Sequence, residues 1–318
     1  MQILVTGATG FIGRHLCERL VEQGFRVRAP VRLGSSQAVT LPPGVQQVPC
    51  TDLRSMCSAA DWRTHLESID RIVHLAGLAH VARGHEIAQS AYTEINETAS
   101  RALSKAAAQS GVQRLILVST VKVFGEQSCE KPFSPGDPPM PHDAYARSKL
   151  GAEQALLSET TGSPCEAVIV RPPLVYGRGV KGNFDRLVTL VRSGVPLPFG
   201  AIQNRRSLVS VGNLCDLIVR ALEHPGAAGQ ILLPADEHAV STPELLRMIA
   251  SAMGTTIRLM PVPRSLLAGL GAALGKHLEI SRLIGSLEVD GSETRRVLQW
   301  TPPFSTEDGL RRTLTGSC

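Results

Sequence analysis

A tyrosine and a lysine four residues apart, Tyr145 and Lys149, are the side chains best suited to acid–base chemistry in this sequence. The pattern around them predicts a helix, and a spacing of four places both side chains on one helix face. An ammonium group beside a phenol lowers the pKa of the phenol, so we expect Tyr145 to exchange a proton near neutral pH. Such a pair is coincidental in most helices, and its meaning depends on the elements around it.

Two hydroxyl residues, Ser119 and Thr120, directly follow the apolar run 114–118. The run has the composition of a fully buried strand. Open α/β sheets bind their ligands at the carboxyl ends of such strands. The two hydroxyl groups are therefore predicted to lie at a ligand-binding edge.

The first thirteen residues carry the strongest binding motif. A short apolar strand pattern at 2–5 is followed by Gly7, Gly10 and Gly13, and then by a helical pattern. The first glycine permits a tight turn, the second lets a pyrophosphate approach the backbone, and the third lets helix and strand pack closely. The free N–H groups at the helix start favour an anion. Glycine triplets also occur in ordinary turns, but this strand–turn–helix context predicts dinucleotide binding.

The second strand candidate, 26–32, bears on the choice of cofactor. An NAD-binding fold usually places an acid at the end of this strand for the ribose hydroxyls of the adenosine. The sequence has Arg28 and Arg32 there instead. The planar guanidinium of Arg32 can pair with a 2′-phosphate, so the sequence favours NADP(H). NAD(H) is the alternative, in which Arg32 is only a solvated loop residue.

Two further loops are candidates for cofactor contacts. Asp52 follows a third strand candidate at 45–48, where its carboxylate could accept a hydrogen bond from the adenine amino group. It could equally be an ordinary loop aspartate. A fourth strand candidate at 71–74 runs into Ala76 and Gly77, whose small side chains would let the backbone lie against a cofactor ribose.

Composition limits the other possibilities. The chain has 318 residues, 43% of them hydrophobic, and a net charge of +5 without charge clusters, which argues against a nucleic-acid partner. The longest apolar stretch, 266–274, is too short to span a membrane. The seven cysteines are scattered, which suits reduced thiols in a cytoplasmic protein, and a strand starting at residue 2 leaves no room for a signal peptide. No spacing suits a metal site. His74 is predicted to be a packed strand histidine, and His80 and His85 to be surface residues.

The alternation of strand and helix patterns predicts an α/β protein with a Rossmann-type doubly wound parallel sheet and a smaller C-terminal α/β substrate-binding lobe. We assign residues 1–172 to the dinucleotide-binding domain, with 207–235 returning to it. Residues 173–206 and 236–318 are assigned to the lobe. An amphipathic helix is expected over 265–284, and it is interpreted as part of the core of the lobe rather than as a membrane contact.

The motifs, taken in order, resemble those of the extended short-chain dehydrogenases/reductases, in the nucleotide-sugar epimerase/dehydratase group, over essentially the whole chain. The motifs are Gly7-x-x-Gly10-x-x-Gly13, Asp52-Leu53, His74-Leu75-Ala76-Gly77, Asn96, Ser119-Thr120, Tyr145-x-x-x-Lys149 and 171–177. Within that group, runs 119–126, 179–184, 196–202 and 204–209 are most similar to the 4-ketoreductases of bacterial O-antigen clusters that form UDP-N-acetylquinovosamine.

This resemblance implies an NAD(P)H-dependent reductase of the C4 ketone of a UDP-linked 6-deoxy-4-keto-hexosamine. In that reaction Tyr145 would protonate the developing alkoxide, Lys149 would tune Tyr145 and hold the nicotinamide ribose, and Thr120 would bind the carbonyl oxygen. The alternative enzyme is a UDP-hexose or UDP-N-acetylhexosamine 4-epimerase with tightly bound NAD. A third alternative, a non-catalytic dinucleotide sensor, is disfavoured because the Tyr-Lys pair is present.

Motifs and resemblance together define the expected site. The predicted cofactor-binding residues are Gly7, Thr9, Gly10, Phe11, Ile12, Gly13, Arg32, Asp52, Leu53, Leu75, Ala76, Gly77, Asn96, Tyr145, Lys149 and Pro172. The predicted substrate-binding residues are Thr120, Lys122, Asn183 and Arg206, the last two toward the UDP moiety. One departure matters: Lys122 stands where many 4-epimerases carry a small residue, which argues against plain epimerase activity.

Two predicted helices, 92–110 and 144–160, bear on assembly. Both carry alanines beyond what one buried stripe needs, and small residues allow helices to approach closely. Together with the family resemblance, this predicts a homodimer that pairs these helices in a four-helix bundle.

Overall fold

The structure, a computed structural model, describes residues 1–32, 40–78, 89–128, 130–273, 275 and 277–315. His80 and His85, predicted to lie on the surface, fall outside the described residues. The strands are β1 (Gln2–Thr6), β2 (Arg26–Arg32), β3 (Val45–Cys50), β4 (Arg71–His74), β5 (Arg114–Val118), β6 (Glu166–Val170), β7 (Leu174–Tyr176), β8 (Leu208–Ser210) and β9 (Ile231–Leu232).

The α-helices are interspersed with the strands up to β9 and then follow one another. They are α1 (Phe11–Glu22), α2 (Ala59–Trp62), α3 (Gln89–Tyr92), α4 (Ala99–Gln109), α5 (Ala144–Thr160), α6 (Asn183–Arg192), α7 (Val211–Glu223), α8 (Thr242–Ala252), α9 (Arg264–Ala273), α10 (His277–Ile284), α11 (Ser292–Leu298) and α12 (Thr306–Thr315). Short 3₁₀ turns cover Leu53–Ser55, Arg63–Leu66, Val121–Val123 and Pro225–Ala227.

Within the described residues, seven strands form one parallel sheet in the order β3-β2-β1-β4-β5-β6-β9. The order reverses beside β1, which is the arrangement of a doubly wound sheet and creates a crevice at the carboxyl ends of the strands. The predicted Rossmann-type fold is confirmed.

Both faces of this sheet are covered, which explains why its central strands are mostly apolar. Adjacent residues of β1 show the two layers: Ile3 and Val5 pack in a core with α1 and α7, whereas Leu4 packs on the opposite face with α4 and α5. Helices therefore pack on both faces of β1, and this packing fixes the position of the glycine turn that follows the strand.

The C-terminal part has its own core. Strands β7 and β8 form a two-stranded parallel sheet, and helices α6, α8, α9, α10 and α12 pack around a separate apolar cluster. Within the segment 207–235, β9 pairs with β6 in the main sheet, whereas β8 pairs with β7 outside it. The division into a dinucleotide-binding domain and a lobe stays a prediction.

Two predicted helices are interrupted. The segment expected as one helix over 92–110 contains a π-helical stretch, Thr93–Thr98, between α3 and α4. The helix expected over 265–284 is wrong as a single element, because α9 ends at Ala273 and α10 begins at His277. Gly275 lies between them at φ +63°, in the left-handed region that ends a helix.

The alanines behind the dimer prediction are buried within the chain itself. Ala99, Ala102, Ala106, Ala152 and Ala155 are each at most 4% exposed. Ala102, Ala106 and Ala152 pack in the core on the α4–α5 face of the sheet. They are therefore no evidence for a second interface, and the homodimer stays a prediction.

The described residues contain no helix long and apolar enough to cross a membrane, and no cluster of three metal-binding side chains. The five cysteines that the structure describes are all free.

Candidate active site

The glycine turn between β1 and α1 is shaped by close backbone contacts. Gly7 has φ +72°, and a Cβ on it would lie 2.7 Å from the backbone nitrogen of Ala76. A Cβ on Gly13 would lie 2.2 Å from the carbonyl oxygen of Gly7. Gly10 caps α1 without a side chain, so the first N–H groups of the helix open toward the carboxyl edge of the sheet. This geometry suits a phosphate group.

Two adjoining cavities run along this edge and share Gly7, Gly77 and Leu78. The first, of about 510 Å³, is lined by Thr6, Gly7, Thr9, Pro30, Val31, Arg32, Cys50, Thr51, Asp52, Leu53, Met56, Trp62, Ala76, Gly77, Leu78 and Ile95. The second, of about 350 Å³, is lined by Gly7, Gly10, Phe11, Ile12, Gly13, Leu75, Gly77, Leu78, Val118, Ser119, Thr120, Tyr145, Lys149, Pro172, Pro173 and Val175. We call them the adenosine end and the catalytic end of one groove. All predicted cofactor residues except Asn96 line it.

Asn96 supports the groove from beneath. Its side chain accepts a hydrogen bond from the Leu78 backbone nitrogen at 2.6 Å and donates to the Leu78 carbonyl at 3.0 Å and to Ser148 Oγ at 2.9 Å. Asn96 is 1% exposed. It therefore fixes the Leu78 backbone and α5 from behind the groove, and its contribution to cofactor binding stays a prediction.

Arg32, expected to meet a 2′-phosphate, is engaged by a carboxylate. Its Nη1 lies 2.8 Å from Asp52 Oδ2, and the other Asp52 oxygen accepts from the Arg54 backbone nitrogen at 3.0 Å. The pKa of Asp52 is lowered by the Arg54 backbone hydrogen bond and by Arg32. A 2′-phosphate at Arg32 would lie beside this carboxylate as well as beside the guanidinium, so the preference for NADP(H) finds no support.

Tyr145 and Lys149 lie together at the catalytic end, as their spacing predicted, but the expected pKa direction is wrong. Burial raises the pKa of Tyr145 to about 12, and the neighbouring Asp143 and Tyr92 add to the rise. A hydrogen bond with Thr120 lowers it only in part. The cofactor-free phenol is therefore protonated at neutral pH, because desolvation and the neighbouring Asp143 outweigh the Thr120 hydrogen bond.

Lys149 shows the same effect with the opposite sign. Burial lowers the pKa of Lys149 to about 8, against a smaller opposing effect of Glu153. Its side chain is 5% exposed, and within the described residues its ammonium makes no hydrogen bond. A buried cationic donor at the cavity wall needs an acceptor, and a ribose hydroxyl group of a dinucleotide would supply one. Lys149 and the open N–H groups of α1 together fit a nicotinamide dinucleotide.

His74 is a packed strand histidine, as expected. Its Nδ1 lies 2.6 Å from Thr6 Oγ1 and its Nε2 lies 2.8 Å from Ser100 Oγ. Burial, with the charge of Lys149, lowers the pKa of His74 to about 3. The ring is therefore a neutral bridge between β1 and α4.

The predicted substrate residues do not all line the groove, whereas nearly all of the predicted cofactor residues do. Thr120 lies at the catalytic end, but Lys122 is held by Glu126 at 2.9 Å and by Asp143 at 3.0 Å. Asn183 is exposed at the start of α6.

The two adjacent arginines before β8 differ in environment. Arg206 is partly buried and donates from Nη1 to the carbonyls of Arg282 and Gly285 at the end of α10. Arg205 forms a bidentate pair with Glu288 on the surface. The neighbours thus take different partners, as an extended segment predicts.

Sequence reasoning missed two carboxylates beside the catalytic pair. Asp143 caps α5 by accepting from the Ala146 backbone nitrogen at 2.7 Å, and an aspartate directly before a helix is a recognisable capping signal. Glu153 lies one turn beyond Lys149 and pairs with Arg171 in the interior. Only the fold could reveal that second pair, because the partners come from different elements.

Comparison with known proteins matches this architecture. The sequence profile of the NAD dependent epimerase/dehydratase family matches residues 3–232. The chain is 39% identical to a UDP-glucose 4-epimerase of Vibrio cholerae over 315 residues, covering 98% of this chain and 94% of that one.

Solved structures give the same fold. A UDP-glucose 4-epimerase of Thermotoga maritima with UDP-glucose superposes with a TM-score of 0.78 at 21% identity, covering 99% of this chain and 98% of that one. A UDP-glucuronic acid 4-epimerase of Bacillus cereus in complex with NAD gives 0.74 at 22% identity, with the same coverage.

Proposed function

The chain belongs to the NAD-dependent epimerase/dehydratase family, and from that premise we propose that it is a UDP-sugar 4-epimerase that uses NAD. The observation that carries the proposal is the grouping of Thr120, Tyr145 and Lys149 at one end of a groove whose other wall is the glycine turn. The Vibrio cholerae relative supports the choice of reaction, since it is similar over almost the whole chain.

NAD, when bound, supplies a hydride acceptor at its nicotinamide ring and, in the oxidised form, a positive charge there. The chain's own residues would manage the proton. Tyr145 would take the proton from the sugar C4 hydroxyl and later return it, with Thr120 as hydrogen-bond partner of the same oxygen. Lys149 would hold the nicotinamide ribose and keep a positive charge near the phenol, which favours its ionised form.

The choice of NAD is supported by the adenosine end. Asp52 already pairs with Arg32, which is the cationic side chain among the described residues lining this end of the groove. A cofactor with only hydroxyl groups at that ribose avoids the repulsion from Asp52.

Reduction of the C4 ketone of a UDP-linked 6-deoxy-4-keto-hexosamine is the second candidate. Two observations favour it. Tyr145 has a raised pKa and is protonated at neutral pH, which suits a proton donor to a developing alkoxide. In addition, Lys122, predicted to stand where many 4-epimerases carry a small residue, lies in a charged cluster with Glu126 and Asp143.

One pair of assays separates the candidates. The purified protein is incubated with UDP-glucose and UDP-N-acetylglucosamine without added cofactor, and C4 inversion is followed by NMR. In parallel, NADH and NADPH oxidation is followed with a UDP-4-keto-6-deoxy sugar. Inversion without net oxidation supports the epimerase, whereas stoichiometric oxidation only with the keto sugar overturns it in favour of the reductase. Cofactor binding without either conversion would instead support the third alternative, a non-catalytic dinucleotide sensor.

A further inference from the structure

A buried ion pair lies directly behind the catalytic end of the groove. Arg171, at the end of β6, donates from Nε to Glu153 Oε1 at 3.0 Å and from Nη2 to Glu153 Oε2. Arg171 is 4% exposed and Glu153 is 2% exposed. The bidentate geometry therefore engages both oxygens of a carboxylate that water does not reach.

The pair is held from two further sides. The guanidinium carbon of Arg171 lies 4.5 Å above the centre of the Phe124 ring, and its backbone nitrogen donates to the Leu232 carbonyl at 2.9 Å. The next residue along the chain, Pro172, lines the groove. Arg171 is thus fixed in orientation, and Glu153 follows it.

Glu153 lies four residues after Lys149 on α5, so the two side chains share a helix face. A carboxylate and an ammonium in a dry interior attract each other strongly, since little solvent screens them. Among the described residues, no ion pair or hydrogen bond joins them, and the Lys149 ammonium remains at the cavity wall. Arg171 is the group that competes with Lys149 for Glu153.

We propose that Arg171 is a positioning residue for cofactor binding: it holds Glu153 away from Lys149, and the lysine ammonium stays available to the dinucleotide. This inference rests on the proposed function only in taking a nicotinamide dinucleotide as the ligand of the groove. Without Arg171, Glu153 would turn to Lys149, and the ammonium would be withdrawn from the cofactor.

The test compares three variants by titrating the cofactor-free protein with NADH and following NADH fluorescence, without any sugar. Arg171→Met leaves the carboxylate without its partner, and we expect NADH affinity to fall at least tenfold. Glu153→Gln breaks the same ion pair from the other side but leaves no carboxylate, so affinity should change less than threefold. The double variant Arg171→Met with Glu153→Gln should recover to within threefold of the wild type.

This recovery separates positioning from a structural role. If the ion pair only stabilised the fold, Glu153→Gln would weaken binding as much as Arg171→Met, and the double variant would not recover; that result overturns the inference. If Arg171→Met does not fold, Arg171→Lys replaces it, because a lysine cannot engage both carboxylate oxygens. It should weaken NADH binding between threefold and tenfold, and unchanged binding would again overturn the inference.

A second readout follows Lys149 itself. The sequence has six lysines, so reductive ¹³C-methylation gives a simple NMR spectrum in which Lys149→Arg assigns the resonance. Pairing with Glu153 favours the charged form, so the pKa of Lys149 should rise in Arg171→Met and return in the double variant. A Lys149 pKa that is the same in all variants contradicts the inference. A wild-type protein that binds no NADH would instead overturn the proposed function, and this inference with it.

Discussion

The two ends of the groove place charged groups in opposite environments. At the adenosine end, the side chains of Arg32 and Asp52 are 60% and 42% exposed and pair with each other. At the catalytic end, burial raises the pKa of Tyr145 to about 12 and lowers that of Lys149 to about 8. The first pair is screened by water, whereas the second pair is governed by desolvation.

This difference in exposure determines how easily the charged groups at each end can change partners. An exposed ion pair contributes about 0–1 kcal/mol, so the adenosine end can exchange partners at little cost. A buried ammonium or phenol cannot change partners freely, because each protonation state depends on the few groups that face it. The catalytic end is therefore where single substitutions should have the largest consequences, and the following predictions test that ranking.

Tyr145→Phe should give the largest effect. The change removes one oxygen without altering the ring that packs beside Tyr92, so NADH binding should persist. Turnover should fall by about 10²- to 10⁴-fold, the usual scale for lost acid–base catalysis. The measurement is steady-state kinetics with the UDP-sugar that the two assays proposed above identify as the substrate. Turnover within threefold of the wild type would remove the proposed role and, with it, the contrast between the two ends.

Arg206→Ala and Arg205→Ala compare a partly buried arginine with its exposed neighbour. Arg206 is partly buried at the end of α10, and its loss should raise the KM for the UDP-sugar at least tenfold, or about 1.4 kcal/mol. Arg205 is exposed and paired with Glu288, so its loss should have a smaller effect. If both variants keep a near-wild-type KM, Arg206 is not a diphosphate ligand.

Lys149→Met tests the cost of a buried ammonium. The pKa of Lys149 is about 8 in the folded protein and about 10.4 in the unfolded chain, so the unfolded state binds more protons between these values. The charge therefore destabilises the cofactor-free fold below pH 8, and this penalty fades as the pH rises toward 10. We expect the methionine variant to melt a few degrees higher than the wild type at pH 7, with the gap closing by pH 10.

Calorimetry of the cofactor-free protein measures this gap. Lys131→Met is the matched control, because Lys131 is 77% exposed and pairs with Asp137 at the surface. Its melting temperature should be unchanged at either pH. A Lys149→Met variant that melts below the wild type at pH 7 would show that the buried charge is better compensated than its surroundings indicate.

Arg32→Ala should give the smallest effect. Because Asp52 already neutralises the guanidinium, we expect the dissociation constants of NADH and NADPH to change by less than about threefold each. Fluorescence titrations with the two cofactors measure this directly. A selective loss of NADPH binding would restore the interpretation that Arg32 binds the 2′-phosphate. It would also show that single substitutions at the adenosine end can have effects as large as those at the catalytic end.

The sequence by itself determined the features that depend on nearest neighbours along the chain. The strand–glycine–helix unit at 2–22 and the shared face of Tyr145 and Lys149 both follow from spacings of a few residues. Backbone sterics, helix periodicity and local hydrogen bonds act over such distances, so patterns of residue types are enough to predict them.

Only the tertiary structure decided which charges meet and which groups lose water. Arg32 and Asp52 are 20 residues apart, Arg171 and Glu153 are 18 apart, and each pair joins different elements. The pKa of Tyr145 moved against the sequence prediction for the same reason. The position of Lys149 one turn along the helix can be predicted from spacing, but the burial that raises the pKa of Tyr145 comes from the packing of elements distant in sequence.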